Sequence, residues 1–164
     1  MIYRNATIQD LEIIVQIYNS IVASRLVTAD TEPVTVESRI HWFHEHNPEK
    51  RPLWIVENDE HETIGWVSFQ NFYGRPAYSA TVEISIYLDE IQRGKGLGKA
   101  ILQHIIQIAP TFGVNTILGF IFAHNEPSLK LFNNLGFEVW ATFPNVALLD
   151  GIERSLKIFG KRIA

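Results

Sequence analysis

The residues most clearly arranged for chemistry are Gln92-Arg93-Gly94-Lys95-Gly96-Leu97-Gly98-Lys99, where three glycines alternate with other residues between an apolar strand and an apolar helix. Glycine tolerates positive φ and lets backbone approach a ligand closely. The first N–H groups of the following helix lack intrahelical partners, and its dipole favours an anion there. Arg93, Lys95 and Lys99 add positive charge locally to a chain whose formal net charge is -4. Together these features suit a pyrophosphate; the plainer reading is a tight turn with solvated lysines. The spacing excludes two other phosphate motifs. There is no Gly-x-x-x-x-Gly-Lys-Ser/Thr run, and Gly94, Gly96 and Gly98 do not fit Gly-x-Gly-x-x-Gly. His41, His44 and His46 do not make a metal site: two could share a helical face, the third would not, and no carboxylate spacing completes the set. No metal is expected.

The elements around this turn follow from periodicity. Thr7 stands three residues before Asp10 ahead of an apolar run, a capping pattern. Leu11, Ile14, Val15, Tyr18 and Val22 recur at helical spacing, which predicts a helix over about residues 8–23. Residues 28–33 form a loop, and a shorter helix starts at Val34, with Ile40, Trp42 and Phe43 as its buried side. Strands are predicted at 53–57 and 63–72 around a polar turn, then at 81–88 after the Arg75-Pro76 break. The glycine turn leads into a helix with Leu97, Ile101, Leu102, Ile105, Ile106 and Ala109 on its apolar side, stopped by Pro110. A strand at 116–122 follows. Pro127 then opens a helix that ends at Leu135-Gly136, and two further strands lie near 138–143 and 152–159. The order βααβββαβαββ predicts an α/β fold: one domain, residues 1–164, with a mixed, mostly antiparallel sheet flanked by about four helices.

Composition limits the function classes. The chain's 164 residues suit one domain, and 46% hydrophobic with 20% charged residues is an ordinary globular balance. The acidic net charge disfavours nucleic acid as a partner. With no cysteine in the chain, disulfides and a cysteine acyl-enzyme are excluded, so a group transfer would run directly or through an oxygen or nitrogen nucleophile. No secretory signal pattern and no stretch of about 18 apolar residues is seen. The expectation is a cytoplasmic protein with no membrane partner.

Arg93-x-x-Gly96-x-Gly98 resembles the Q/R-x-x-G-x-G/A pattern of the GNAT-type N-acetyltransferase superfamily, whose loop grips the pyrophosphate of acetyl-CoA. Asn125-Glu126-Pro127-Ser128, with Leu131-Phe132 and Leu135-Gly136-Phe137 after it, is similar to that superfamily's last motif. Further stretches look like the phosphinothricin acetyltransferase branch: Thr31 to Val34, Trp42-Phe43, Arg75 to Tyr78, Thr81 to Leu88, and Asp150 to Arg154. The resemblance covers nearly the whole chain. Members of that branch acetylate phosphinothricin, methionine sulfoximine or methionine sulfone, and some take other amines. The resemblance implies that Ile86, Tyr87 and Leu88 pair their backbone with the pantetheine arm. Gly94 to Lys99, with Arg93, would hold the pyrophosphate, and Asn125 and Ser128 would lie against the cofactor. The substrate would lie between Arg75, Pro76, Ala77 and Tyr78 on one side and Glu83, Ile84 and Ser85 on the other. A homodimer is implied as well.

Direct acetyl transfer needs a neutral amine, and an α-amine of pKa near 8 is only about one-tenth deprotonated at pH 7. Glu83 is the candidate base; the alternative is a rim glutamate that merely attracts the ammonium. Leu88 N–H is the candidate oxyanion donor by analogy with the superfamily. The paired donors of Arg75 suit a substrate carboxylate, unless it is simply a surface arginine. Three positions depart from the pattern. Phe132 replaces a tyrosine acid found in many members, Leu149-Asp150-Gly151 lacks a histidine some carry, and Ala29 stands where the branch often has an aromatic, which implies a roomier pocket. Two alternatives stay open: the same chemistry on a peptide N-terminus, polyamine or aminoglycoside, and an acyl-CoA-binding module without turnover.

Overall fold

Strands β2 (Leu53–Glu57) and β3 (Thr63–Asn71) explain the layering. Successive side chains of a strand point to opposite faces. In the computed structural model, which describes residues 1–164, Leu53, Ile55 and Trp66 pack with Ile14 and Ile17, while Trp54, Val56, Val67 and Phe69 join a larger cluster on the other side. Both faces of the sheet are therefore covered. Helices α1 (Leu11–Val22) and α2 (Val36–His44) lie on the first face, α2 contributing Trp42 and Phe43. Helices α3 (Leu97–Ile108) and α4 (Glu126–Asn134) cover the second through Ile101, Leu102, Ile105, Leu129 and Phe132.

The seven strands are completed by β1 (Ile2–Asn5), β4 (Thr81–Leu88), β5 (Thr116–Phe122), β6 (Glu138–Leu149) and β7 (Ile152–Arg162), in the order β1-β2-β3-β4-β5-β7-β6. Every neighbouring pair is antiparallel except β4 with β5. That parallel pair is short: only Thr81, Val82 and Glu83 find partners, at Thr116, Ile117 and Leu118. Beyond Glu83, β4 stays on β3 as far as Leu88, while β5 stays on β7 as far as Phe122. The two central strands thus part, and one edge of each is left open.

Three expectations need adjustment. The first helix opens as a 3-10 turn over Ile8–Asp10, because the Asp10 carboxylate accepts from Thr7 N at 2.7 Å and from the Arg4 guanidinium at 2.8 Å. Ile40 is exposed; Trp42 and Phe43 carry the packing of α2. The last hairpin is longer than 138–143 and 152–159. Its strand β6 is almost wholly exposed, and Pro144 falls in the irregular stretch between Phe143 and Ala147. A proline is tolerated at such a bulge, but it reads as a stop in a sequence with no apolar alternation to bridge it.

Gly119 on β5 is set by packing. A Cβ there would enter the Phe132 ring, with Cζ at 3.0 Å, so the strand's missing side chain makes the seat for that ring. Gly119→Ala should lose about 1–3 kcal/mol of stability through overpacking, measured by urea denaturation. Adding Phe132→Leu should restore part of the loss.

Candidate active site

Two hollows meet at β4. The larger, about 810 Å³, runs along the parting of β4 and β5. Ala80 O accepts from Asn115 N and Thr116 N on the β5 side, and Asp89 N donates to Ile64 O on the β3 side. Lateral direction alternates along a strand, so the main-chain groups of Ile84, Ile86 and Leu88 face the open edge. Those of Ser85 and Tyr87 face β3. Of the three residues expected to pair with an extended ligand, Ile86 and Leu88 therefore present backbone to the cleft, and Tyr87 lines it otherwise, with its side chain.

The mouth of this cleft carries the glycine turn. Gly94 and Gly96 hold φ of 75° and 76°, and Gly96 is the residue from which α3 starts. A Cβ at either would meet nothing within 4 Å, so conformation, not crowding, calls for glycine there. Gly98 has no such constraint, and a Cβ would reach Leu131 at an ordinary 3.5 Å. Arg93, Gly94, Gly96, Gly98 and Lys99 line the cleft. Lys95 and Leu97 do not: Lys95 Nζ donates to the side-chain Oε1 of Gln92 at 3.0 Å, and Leu97 packs against the core. Asn125 starts α4 from the opposite lip. Its Oδ1 accepts from Ser128 N at 3.3 Å, and its amide nitrogen has no protein partner although the residue is 95% removed from solvent (5% exposed). Pro127, Ser128 and Phe132 line the cleft beside it.

The smaller hollow, about 290 Å³, opens on the α1–α2 face of β4. Its wall is a run of rings: Tyr18 lies 5.3 Å from Tyr87, Tyr87 stacks on Trp66 at 4.4 Å, and Trp66 meets Trp42 at 5.5 Å. Glu83, Ser85, Tyr87, Thr28 and Ala29 line both hollows, so these residues form their junction. Glu83 is half-buried, has no hydrogen-bond or ion-pair partner, and burial pushes its carboxyl up from the usual range. A carboxylate in such a place accepts a proton more readily than a solvated one. Burial likewise raises the phenol of Tyr87, which makes it a poor proton donor near neutrality.

Arg75, Pro76, Ala77 and Tyr78 line neither hollow. They form an exposed 3-10 turn in the β3–β4 hairpin, where Tyr78 sits against Phe72 and Tyr73. The buried Arg51 ties the ends of that hairpin, donating to Asn71 Oδ1 at 2.6 Å and to Ser79 O at 2.7 Å. The residues that sequence reasoning missed are Tyr18, Asp30, Arg39 and Gln70, all on the wall of the smaller hollow. Tyr18 hydroxyl is within hydrogen-bond reach of Thr28 and Asp30, and Arg39 Nη2 donates to Asp30 at 2.9 Å. Only the paired signs of Asp30 and Arg39 were readable beforehand, and no local spacing linked them. On the exposed side of α2, His41 and His44 face solvent, while the half-buried His46 sits with Nδ1 2.9 Å from Trp42 O.

Comparison with known proteins agrees with this geometry. Residues 14–137 match the model of the acetyltransferase (GNAT) family. Over the full length of both chains, the sequence is 51% identical to the Bacillus subtilis protein YwnH, whose name is "putative phosphinothricin acetyltransferase". It is 32% identical to an L-methionine sulfoximine/L-methionine sulfone acetyltransferase of Pseudomonas paraeruginosa, over 87% of this chain and 83% of that one. A phosphinothricin acetyltransferase from Sinorhizobium meliloti, solved in complex with acetyl-CoA, superposes with a TM-score of 0.89 at 25% identity, covering 98% of this chain and 87% of the other. No helix is long and apolar enough to cross a membrane.

The glycine turn gives a direct test. Gly96→Ala forces an alanine to positive φ, at a cost of about 1–2 kcal/mol if the turn keeps its shape. The expected outcome is a dissociation constant for acetyl-CoA raised about tenfold or more in calorimetry, with the thermal midpoint lowered by only a few degrees.

Proposed function

The chain belongs to the GNAT acetyltransferase family and is an acetyl-CoA-dependent N-acetyltransferase, and from that premise we propose that it acetylates the α-amine of a small amino-acid analogue of the phosphinothricin, methionine sulfoximine or methionine sulfone type. In this proposal transfer is direct, within a ternary complex: the chain has no cysteine to carry an acyl group, and the two hollows share the lining residue Glu83, so both ligands can meet there. The observation that carries the reading is the junction: Glu83 lines both the cleft suited to an extended cofactor and the small aromatic hollow suited to an amine. A hollow of about 290 Å³ is near the lower end of ligand sites, roughly 300–1,000 Å³. That size favours a small amine over a peptide or an aminoglycoside.

In this reading Glu83 takes one proton from the substrate ammonium, directly or through a water, before the neutral nitrogen attacks the thioester carbonyl, and the second N–H proton passes to solvent as the tetrahedral intermediate collapses. The new C–N bond forms, the C–S bond breaks, and the thiolate leaves. Phe132 has no proton to offer it, and a thiol of pKa about 8.5 does not require one. Leu88 N–H, turned to the open edge, stabilises the oxyanion. Gly94, Gly96, Gly98, Arg93 and Lys99 hold the pyrophosphate, and the free amide nitrogen of Asn125 donates to the cofactor. The reading includes a cytoplasmic location and a homodimer, the latter checked by light scattering.

Thiol release with acetyl-CoA, measured across methionine sulfone, methionine sulfoximine, phosphinothricin and a set of polyamines, tests the substrate class. Turnover of the amino-acid analogues is expected; preference for the polyamines would refute it, and silence with every amine would favour a binding module. Glu83→Gln should lower kcat/KM about 100-fold at pH 7. In the wild type the base works only when ionised, so the rate rises as pH climbs through the carboxyl's pKa. Burial moves that limb above the ordinary value near 4.3. The variant should lose this limb and recover partly at high pH, where the free amine no longer needs a base. An unchanged rate would remove Glu83 from the role.

A further inference from the structure

Arg39 stands out among the groups around the smaller hollow. It lies on α2, its side chain is only 27% exposed, and Nη2 makes the one hydrogen bond of its guanidinium, to Asp30. A guanidinium carries five N–H donors, so four are left without a protein acceptor on the wall of the smaller hollow. Its Cζ lies 4.9 Å from the centre of the Tyr18 ring and 6.0 Å from that of Trp42. Stacking on rings uses the flat face of the group and leaves the in-plane donors free. Asp30 in turn is held by the Tyr18 hydroxyl as well as by Arg39, so the guanidinium is fixed in direction before any ligand arrives.

The charges of the hollow complete the picture. Asp30 is matched by Arg39 and by a hydroxyl donor, and Glu83 is the remaining carboxylate, without a partner. An amine beside Glu83 accounts for one unpaired charge. The unsaturated donors of Arg39 call for an acceptor on the same small molecule, because a hollow of about 290 Å³ admits one small ligand. A carboxylate fits best, since two of its oxygens accept from two parallel N–H groups of an arginine. The exposed Arg75 lines neither hollow and has no such relation to Glu83.

We propose that Arg39 is the specificity-determining residue of this enzyme, binding the carboxylate of the substrate and thereby selecting amino acids over simple amines. The proposal rests on the small-amine reading given above, and its test separates the two. Methionine sulfone is compared with its decarboxylated counterpart, 3-(methylsulfonyl)propan-1-amine, in the wild type, Arg39→Gln, Arg39→Lys and Arg75→Ala, with acetyl-CoA saturating. Each amine is compared between enzymes, so the different pKa values of the two amines cancel.

Arg39→Gln should lose about 30-fold or more of kcat/KM for methionine sulfone relative to the amine, chiefly through KM, the scale of one lost charge-assisted pair. Arg39→Lys keeps the charge and the tie to Asp30 but not the fork, and should lose an intermediate share. Arg75→Ala should leave the ratio of the two amines at the wild-type value. Equal losses on both amines in Arg39→Gln would mean a merely structural tie between α2 and Asp30, and would overturn the proposal. So would a ratio that collapses in Arg75→Ala instead. If Arg39→Gln does not fold, by circular dichroism and thermal melting, Arg39→Lys decides, and equal losses there overturn the proposal too. A wild type that takes both amines equally well sinks the anchor and leaves the acetyltransferase intact. One that takes neither sinks the small-amine reading, and the anchor with it.

Discussion

The parting of β4 from β5 is the constraint on which the rest of this structure depends. Each strand is held along its far side, β4 by β3 through Leu88 and β5 by β7 through Phe122, yet they share only three residue pairs. Exposing unpaired backbone inside a fold is costly unless something satisfies it. Here the open N–H and C=O groups of Ile84, Ile86 and Leu88 border a cleft of about 810 Å³, where a ligand's polar groups could take the place of a neighbouring strand. Both helices whose starts flank the cleft, α3 at Gly96 and α4 at Asn125, direct their first turns to it, that of α4 capped at Ser128 N by Asn125 Oδ1. An anion at one lip and a polar chain along the edge are thus favoured by one arrangement of backbone.

The same strand serves two chemistries because its side chains alternate. Val82, Ile84, Ile86 and Leu88 belong to the side packed under α3 and α4. Glu83, Ser85 and Tyr87 face the aromatic hollow under α1 and α2. One strand therefore carries both the open backbone edge and the Glu83 carboxylate, so their separation is set within a single element. Rigid elements hold a catalytic constellation more precisely than loops do. The α1–α2 connection that roofs the junction is itself tied down, by Arg25 to Asp150 at 2.7 Å and by Asn19 to Val34 at 2.8 Å in both directions.

What could be read in the sequence was local. Alternating glycines ahead of an apolar helix announce the turn at residues 94–98, and Pro127 announces a helix start; both depend on neighbours along the chain. The core helices were legible for the same reason, through repeats of three and four. Glu83 was found only through family resemblance, since nothing around it in sequence tells that its carboxylate lies unpaired between two hollows. Tyr18 was read as one more apolar position, and its ring does face the sheet, but its hydroxyl reaches Thr28 and Asp30 across a loop. Arg39 carries no local signal, because it meets Asp30 and Tyr18 only once α2 has folded back over α1. Arg75 was the nearer candidate by resemblance, and the hairpin carries it to the surface. Strand β6 runs on past Pro144 because the proline falls in an irregular stretch between Phe143 and Ala147, which no local pattern announces.

The claim at the centre of this account is that two ligands meet at Glu83, one along the open edge of β4 and one inside the aromatic hollow. A crystal structure of the protein with coenzyme A and methionine sulfone examines it most directly. The expected result has the pantetheine arm hydrogen-bonded to Ile86 and Leu88, and the substrate nitrogen within one water of the Glu83 carboxylate. An amine seated elsewhere, with the small hollow filled by solvent, would contradict the account.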